Sequence, residues 1–146
     1  MSGVTQTTAT RNQSTAQISD SKRIFIFDNR FVEGIFKNTT AGNLEIQGGI
    51  LIARSKTVAN GFIPVTSENL ADTIGISAYE GKSTLAANQE VSMNIGTKGT
   101  IDGNLLVLPS GVTLNTVVGN KTLRDVLESL GLHVDTSSIE NTKIEN

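Results

Sequence analysis

From Gly48 to Gly81 the chain reads GGILIARSKTVANGFIPVTSENLADTIGISAYEG, and no other stretch restricts the fold as tightly. A glycine pair leads into the apolar run Ile50-Leu51-Ile52-Ala53, the chain turns over Lys56 to Gly61, and Phe62-Ile63-Pro64-Val65 follows. Two runs rich in β-branched residues on either side of an Asn-Gly pair predict strands joined by a tight connection, because Asn and Gly tolerate the positive φ such turns need. Proline cannot donate to a sheet ladder, so the strand holding Pro64 is expected at an edge or at a strand start. After a polar segment, Thr73-Ile74-Gly75-Ile76 reads as a third strand. Between them, Ser67 to Asp72 fits one helical turn capped by Ser67, with Leu70 and Ala71 directed inward.

The same grammar extends both ways. Residues 1–22, MSGVTQTTATRNQSTAQISDSK, hold only Val4 and Ile18 as sizeable apolar groups. So little apolar surface cannot offset ordering entropy, which predicts a mobile arm. One reading gives the arm no duty; the other has it order on a partner, since Thr-rich extended sequence suits strand addition to a neighbour's sheet. Order is expected from Arg23, with Arg23 to Phe27 and Phe31 to Phe36 as two strands around the polar turn Asp28-Asn29-Arg30. Four of the five phenylalanines sit there, either filling the core or facing a partner subunit.

Leu44 to Gln47 alternates as a half-exposed strand, and Val91, Met93 and Ile95 share one strand face. Lys98-Gly99-Thr100 and Ile101-Asp102-Gly103 punctuate the chain, and Asn104 to Leu108 is a further apolar run before Pro109-Ser110-Gly111. Strands at short intervals with Gly and Pro turns predict a sandwich or barrel. A helix is expected over Thr122 to Leu130. Thr122 and Asp125 form the cap, Leu123, Val126, Leu127 and Leu130 the apolar stripe, and Gly131 the left-handed stop. Arg124 and Glu128 make an i,i+4 pair on its solvated side. Val112, Leu114, Val117 and Val118 are expected to pack this closing unit across one end of the β-domain. The chain thus divides into a flexible arm (1–22), a β-rich domain (23–134) and a flexible acidic tail (135–146).

Little in this chain suits catalysis. With 146 residues it suffices for one core. A net charge of −2 offers no field for a polyanion, so no nucleic-acid partner is expected. There is no cysteine, which removes thiolate nucleophiles and sulfur-ligated zinc. No apolar run reaches the length of a membrane helix, and the polar start is no secretory signal, so a soluble protein without a membrane partner is expected. His133, the one histidine, lies beyond the helix stop with no nucleophile motif to serve. Glu80, Glu90, Asp72 and Asp102 could supply paired carboxylates, but no spacing defines a pair. Gly96-Thr97-Lys98-Gly99 lacks the full spacing of a phosphate loop and reads as a hairpin turn. With no Trp and a single tyrosine, Tyr79, there is little to stack a sugar or base upon. Neither catalytic residues, nor a metal, nor a cofactor, nor a small-molecule substrate is expected.

Against this background Leu44 to Val134 resembles the head decoration proteins of tailed bacteriophages, the group typified by the phage lambda capsid-stabilising protein. The likeness is carried by Gly49-Ile50-Leu51-Ile52-Ala53-Arg54, Phe62-Ile63-Pro64-Val65 and Ala71-Asp72-Thr73-Ile74-Gly75-Ile76-Ser77. Gly103-Asn104-Leu105-Leu106-Val107-Leu108-Pro109 and Thr122 to Leu127 extend it. The resemblance implies a mainly β domain of barrel or sandwich-like, β-tulip type with minor helix, assembled as a homotrimer. It implies a seat on the major capsid protein at three-fold and quasi-three-fold positions of the expanded head, with residence in host cytoplasm during assembly. It also implies that the arm reaches the shell, through Thr7, Thr8, Thr10, Arg11, Gln13, Thr15 and Ile18. The longer chain, the helix near its end and the acidic tail depart from the lambda pattern. The alternatives are a head fibre or tail-associated adaptor, and, from a different class, a small hydrolase or glycan-binding module.

Overall fold

A computed structural model of the protein describes residues 24–136. It is mainly β, 50% strand against 12% helix, and its centre is a closed five-stranded barrel. The strands are β1 (Phe25–Lys37), β2 (Leu44–Gln47), β3 (Leu51–Arg54), β4 (Gly61–Pro64), β5 (Thr73–Ser77), β6 (Lys82–Leu85), β7 (Glu90–Asp102), β8 (Val117–Val118), β9 (Lys121–Thr122) and β10 (Leu132–Asp135). The α-helix α1 is Leu123–Ser129.

The ring runs β1-β4-β3-β5-β7 and closes by β7 pairing again with β1. Strands cannot alternate direction all the way round a ring with an odd number of members, so one parallel junction is unavoidable. Here it is β1 with β4, through Ile35↔Gly61 and Phe36↔Phe62. A parallel junction needs a long crossover, which residues 38–60 supply while forming β2 and β3 on the way. The β3–β4 connection turns as its Asn-Gly pair predicts, with Asn60 at φ 58. Pro64 is the last residue of β4; it faces Ile52 of β3 and lies past the β1 junction, where no ladder hydrogen bond is asked of it.

Side-chain alternation divides the strands between two cores. Phe36, Ile52, Phe62, Met93 and Ile95 form one with Ile46 and Leu85, which arrive on the β2–β6 ribbon. The other holds Leu51, Ala53, Ile76 and Ile101, covered by Leu123, Val126 and Leu127 of α1 and by Leu132 and Val134 of β10. Adjacent residues of β3 therefore serve different cores.

The closing helix follows the local code. Thr122 accepts from the Asp125 amide at 3.3 Å while the Asp125 carboxylate accepts from the Thr122 amide at 3.4 Å, a complete capping box. Gly131 takes φ 100 just beyond it. Val112, Leu114 and Val118 pack against the second core, as expected, whereas Val117 is 72% exposed.

Several expectations need correction. Asp28-Asn29-Arg30 is no turn: β1 runs unbroken across it and absorbs the extra residues as a bulge, with Asp28 at φ 56 and the register against β7 shifting between Phe27 and Arg30. Gly96 to Gly99 likewise lies within β7, whose partner β1 is long enough to carry it through to Asp102. The short helical turn is a 3-10 segment, Leu70–Asp72, without a Ser67 cap; Leu70 is buried and Ala71 exposed. Asn104 to Leu108 is not a strand but a 3-10 turn, Gly103–Leu105, followed by one bridge between Ile50 and Val107. Leu130 is 38% exposed and leaves the helix stripe at its last position. Leu132–Asp135, unassigned in the sequence, is a strand parallel to β7 and passes the expected boundary at 134 by one residue.

Candidate interaction surface

The long first strand carries the most unusual surface of the molecule. On β1, Ile26, Phe27, Phe31, Val32 and Ile35 are all exposed, Phe27 by 70%. All but Ile35 lie where β1 outlasts β4. Its pairing with β7 spans Phe25 to Lys37, but β4 joins it only at Ile35 and Phe36. Among the described residues no other strand lies against residues 25–34, so one backbone edge of that run is open.

The bulge fixes how this run leaves the barrel. Asn29 folds over Gly99, whose φ of 133 and lack of a side chain make room; a Cβ there would meet the Asn29 Cα at 2.9 Å. Asn29 Oδ1 is buried, with no hydrogen-bond partner among the described residues. Phe25 turns into the core and meets the exposed Phe31 edge to face, with centroids 5.0 Å apart. At the far end Glu33 accepts from the Ser92 hydroxyl at 2.9 Å. Past the parallel junction, exposed Ile35 and Val58 flank a depression of about 70 Å³.

The phenylalanines therefore split: Phe25, Phe36 and Phe62 are buried, while Phe27 and Phe31 face outward. Spacing held a clue that composition hid. Phe25, Phe27 and Phe31 share a parity opposite to that of Phe36, so a period of two cannot direct all four to one core.

The groups tested for chemistry are scattered. No group of three or more His, Asp or Glu suited to a metal occurs among the described residues. Asp102 is buried and accepts from the Asn104 amide at 3.0 Å, capping the following 3-10 turn. Asp72 ends the other 3-10 segment, Glu90 begins β7, and Glu80 is exposed before β6. His133 Nδ1 stands 3.6 Å from a Glu128 oxygen that is also 3.6 Å from Arg124 Nε, an exposed arrangement on the outer side of α1 and β10. Arg124 also donates to the Val134 carbonyl at 2.7 Å, tying helix to strand. The arm residues Thr7, Thr8, Thr10, Arg11, Gln13, Thr15 and Ile18 lie outside the described residues.

Fold and surface define a small closed-barrel protein with an apolar strand turned outward. The chain matches no family model and no curated protein.

Proposed function

We propose that this is a structural virion protein that binds the outer surface of a tailed-phage head, at three-fold and quasi-three-fold positions, and stabilises the expanded shell. The single observation that carries the reading is the outward row of Ile26, Phe27, Phe31, Val32 and Ile35 on a barrel this small. Large apolar side chains left exposed along one strand mark a surface that is covered in the working assembly, here the contact between copies. Aromatic anchors with a charged surround, here Asp28, Arg30, Glu33 and Lys98, match the anatomy of protein interfaces. Bridging several shell subunits with several copies makes release require simultaneous loss of many contacts, so weak individual contacts suffice. The resemblance to head decoration proteins gives the assembly, a homotrimer, and the partner, the major capsid protein.

The test begins with solution mass by equilibrium sedimentation, then cosedimentation with expanded and unexpanded empty heads of the phage that encodes the chain. The expected result is a trimer that adds to expanded heads only. Deleting residues 1–20 should leave a folded trimer that no longer decorates them. A monomer that ignores both kinds of head would overturn the proposal. Labelled particles bearing copies at one vertex or only on the tail would replace it with an adaptor.

A further inference from the structure

The sequence contains one Asn-Gly pair, Asn60-Gly61, and the fold places it where the barrel closes with the shortest pairing. β1 meets β4 only through Ile35↔Gly61 and Phe36↔Phe62, so Asn60 stands at the entrance to a two-pair junction. Asparagine is a chemically labile residue, and it is most so before glycine, whose lack of a Cβ lets its amide nitrogen approach the asparagine side chain. Every other asparagine with a successor precedes a residue that has a Cβ.

Three backbone hydrogen bonds hold this pair away from reaction. The Gly61 amide donates to the Val58 carbonyl at 3.1 Å, the Asn60 carbonyl accepts from the Ile35 amide at 3.2 Å, and the Gly61 carbonyl accepts from the Ser55 amide at 2.8 Å. Asn60 is exposed to water in the left-handed region, at φ 58, while Gly61 is buried. Attack on the Asn60 side chain needs the Gly61 nitrogen deprotonated and free of Val58. It also needs the peptide plane between the two residues to turn toward Cγ, which pulls the Asn60 carbonyl away from Ile35. Both movements open the junction of β1 with β4, so the folded barrel suppresses the reaction that its own sequence invites.

We infer that Asn60 is a site of spontaneous deamidation guarded by barrel closure, and that its reaction makes an opened junction permanent. In the opened state the Gly61 nitrogen gives its proton to solvent and bonds to Asn60 Cγ. The Cγ–Nδ2 bond then breaks, and ammonia leaves with a proton taken from solvent. Water opens the resulting cyclic imide at either carbonyl. Cleavage at Cγ gives aspartate; cleavage at the main-chain carbonyl gives isoaspartate, and water is the only reactant consumed. Isoaspartate lengthens the main chain by one atom at the junction and turns the carbonyl that accepted from Ile35 into a free carboxylate. A junction of two residue pairs has no further pairing with which to absorb that change. Either product also adds one negative charge to a chain of net charge −2. This inference does not depend on the proposed virion role.

The test follows isoaspartate at position 60 by peptide mapping of the full chain in mildly alkaline buffer, folded and unfolded in urea. The unfolded chain should react at Asn60 ahead of its other asparagines. The folded parent should react there at least about tenfold more slowly, as a junction open less than a tenth of the time requires. Ser55 Oγ accepts from the Thr57 and Val58 amides at 3.2 and 3.1 Å and so pins the turn from outside the core. Ser55→Ala should therefore speed the folded reaction about fivefold. Gly34→Ala, whose Cβ would fall 2.7 Å from the Asn60 carbonyl oxygen, should speed it further. The purified isoaspartate form should unfold at lower urea than the unreacted protein. Equal rates in the folded and unfolded chain would overturn the inference. So would a folded rate that neither substitution changes, or an isoaspartate form as stable as the parent.

Discussion

Asn38 shows how one polar side chain can hold a barrel to its appendage. It is fully enclosed, and its Nδ2 donates to the Leu85 and Gly42 carbonyls, each at 2.9 Å. Its Oδ1 accepts from the amide and hydroxyl of Thr40. The end of β1, the following turn and the β6 strand are thereby tied at a single point. In the sequence Asn38 reads only as part of a polar turn, since nothing in Asn38-Thr39-Thr40 announces a partner 47 residues away. Asn38→Ala removes all four of these side-chain hydrogen bonds at a fully buried position, and should cost about 2–4 kcal/mol in urea unfolding with an unchanged m value. Two glycines give a matched comparison. A Cβ at Gly34 would fall 2.7 Å from the Asn60 carbonyl oxygen and onto the Phe62 ring, whereas at Gly42 it meets nothing within 4 Å. Gly34→Ala should destabilise by about 1–3 kcal/mol by forcing apart the β1–β4 junction. Gly42→Ala should stay near neutral, and equal losses at both sites would remove the steric explanation.

Elements whose cause is local were legible. The α1 cap, its apolar spacing and its glycine stop all lie within ten consecutive residues, 122–131, and the cap, the stop and Leu123, Val126 and Leu127 took their expected places, Leu130 alone departing. The same holds for the Asn60 turn. Elements whose cause is distant were not. β1 and β7 are 13 residues each and stay extended through polar and glycine-bearing segments because each supports the other across the barrel. Single-strand patterning sees only the interruption. β10 is four residues following a glycine, too short to signal itself, and is specified by the β7 edge it completes. This division predicts where the helix is rigidly held. Leu127 is fully buried and Leu130 is 38% exposed. Leu127→Ala should therefore cost about 2–5 kcal/mol, while Leu130→Ala should cost under about 1 kcal/mol. Similar losses in chemical denaturation would show that the helix is not seated as described.

For the molecule as a whole, the mainly β class was legible because short β-branched runs between turn residues leave few alternatives. The closed ring was not, since it depends on which strands meet: β1 must find β4 in parallel after a 23-residue crossover, 38–60. The candidate surface was half legible. A row of phenylalanines pointed to an important segment, but only the shortness of β4 beside β1 explains why Phe27 and Phe31 stay outside. That origin makes the proposed assembly apolar in character, and a chain of net charge −2 adds little long-range attraction to it. Raising salt toward 1 M shrinks the Debye length to about 3 Å, which would dissolve an association built on exposed charges. Sedimentation should instead give the same oligomer mass at low and high salt. Phe27→Lys should yield monomers under both conditions that still unfold in one cooperative transition, because a side chain already 70% exposed gives up little packing within its own molecule when replaced. An oligomer that persists in Phe27→Lys, or that separates as salt rises, would move the interface away from β1.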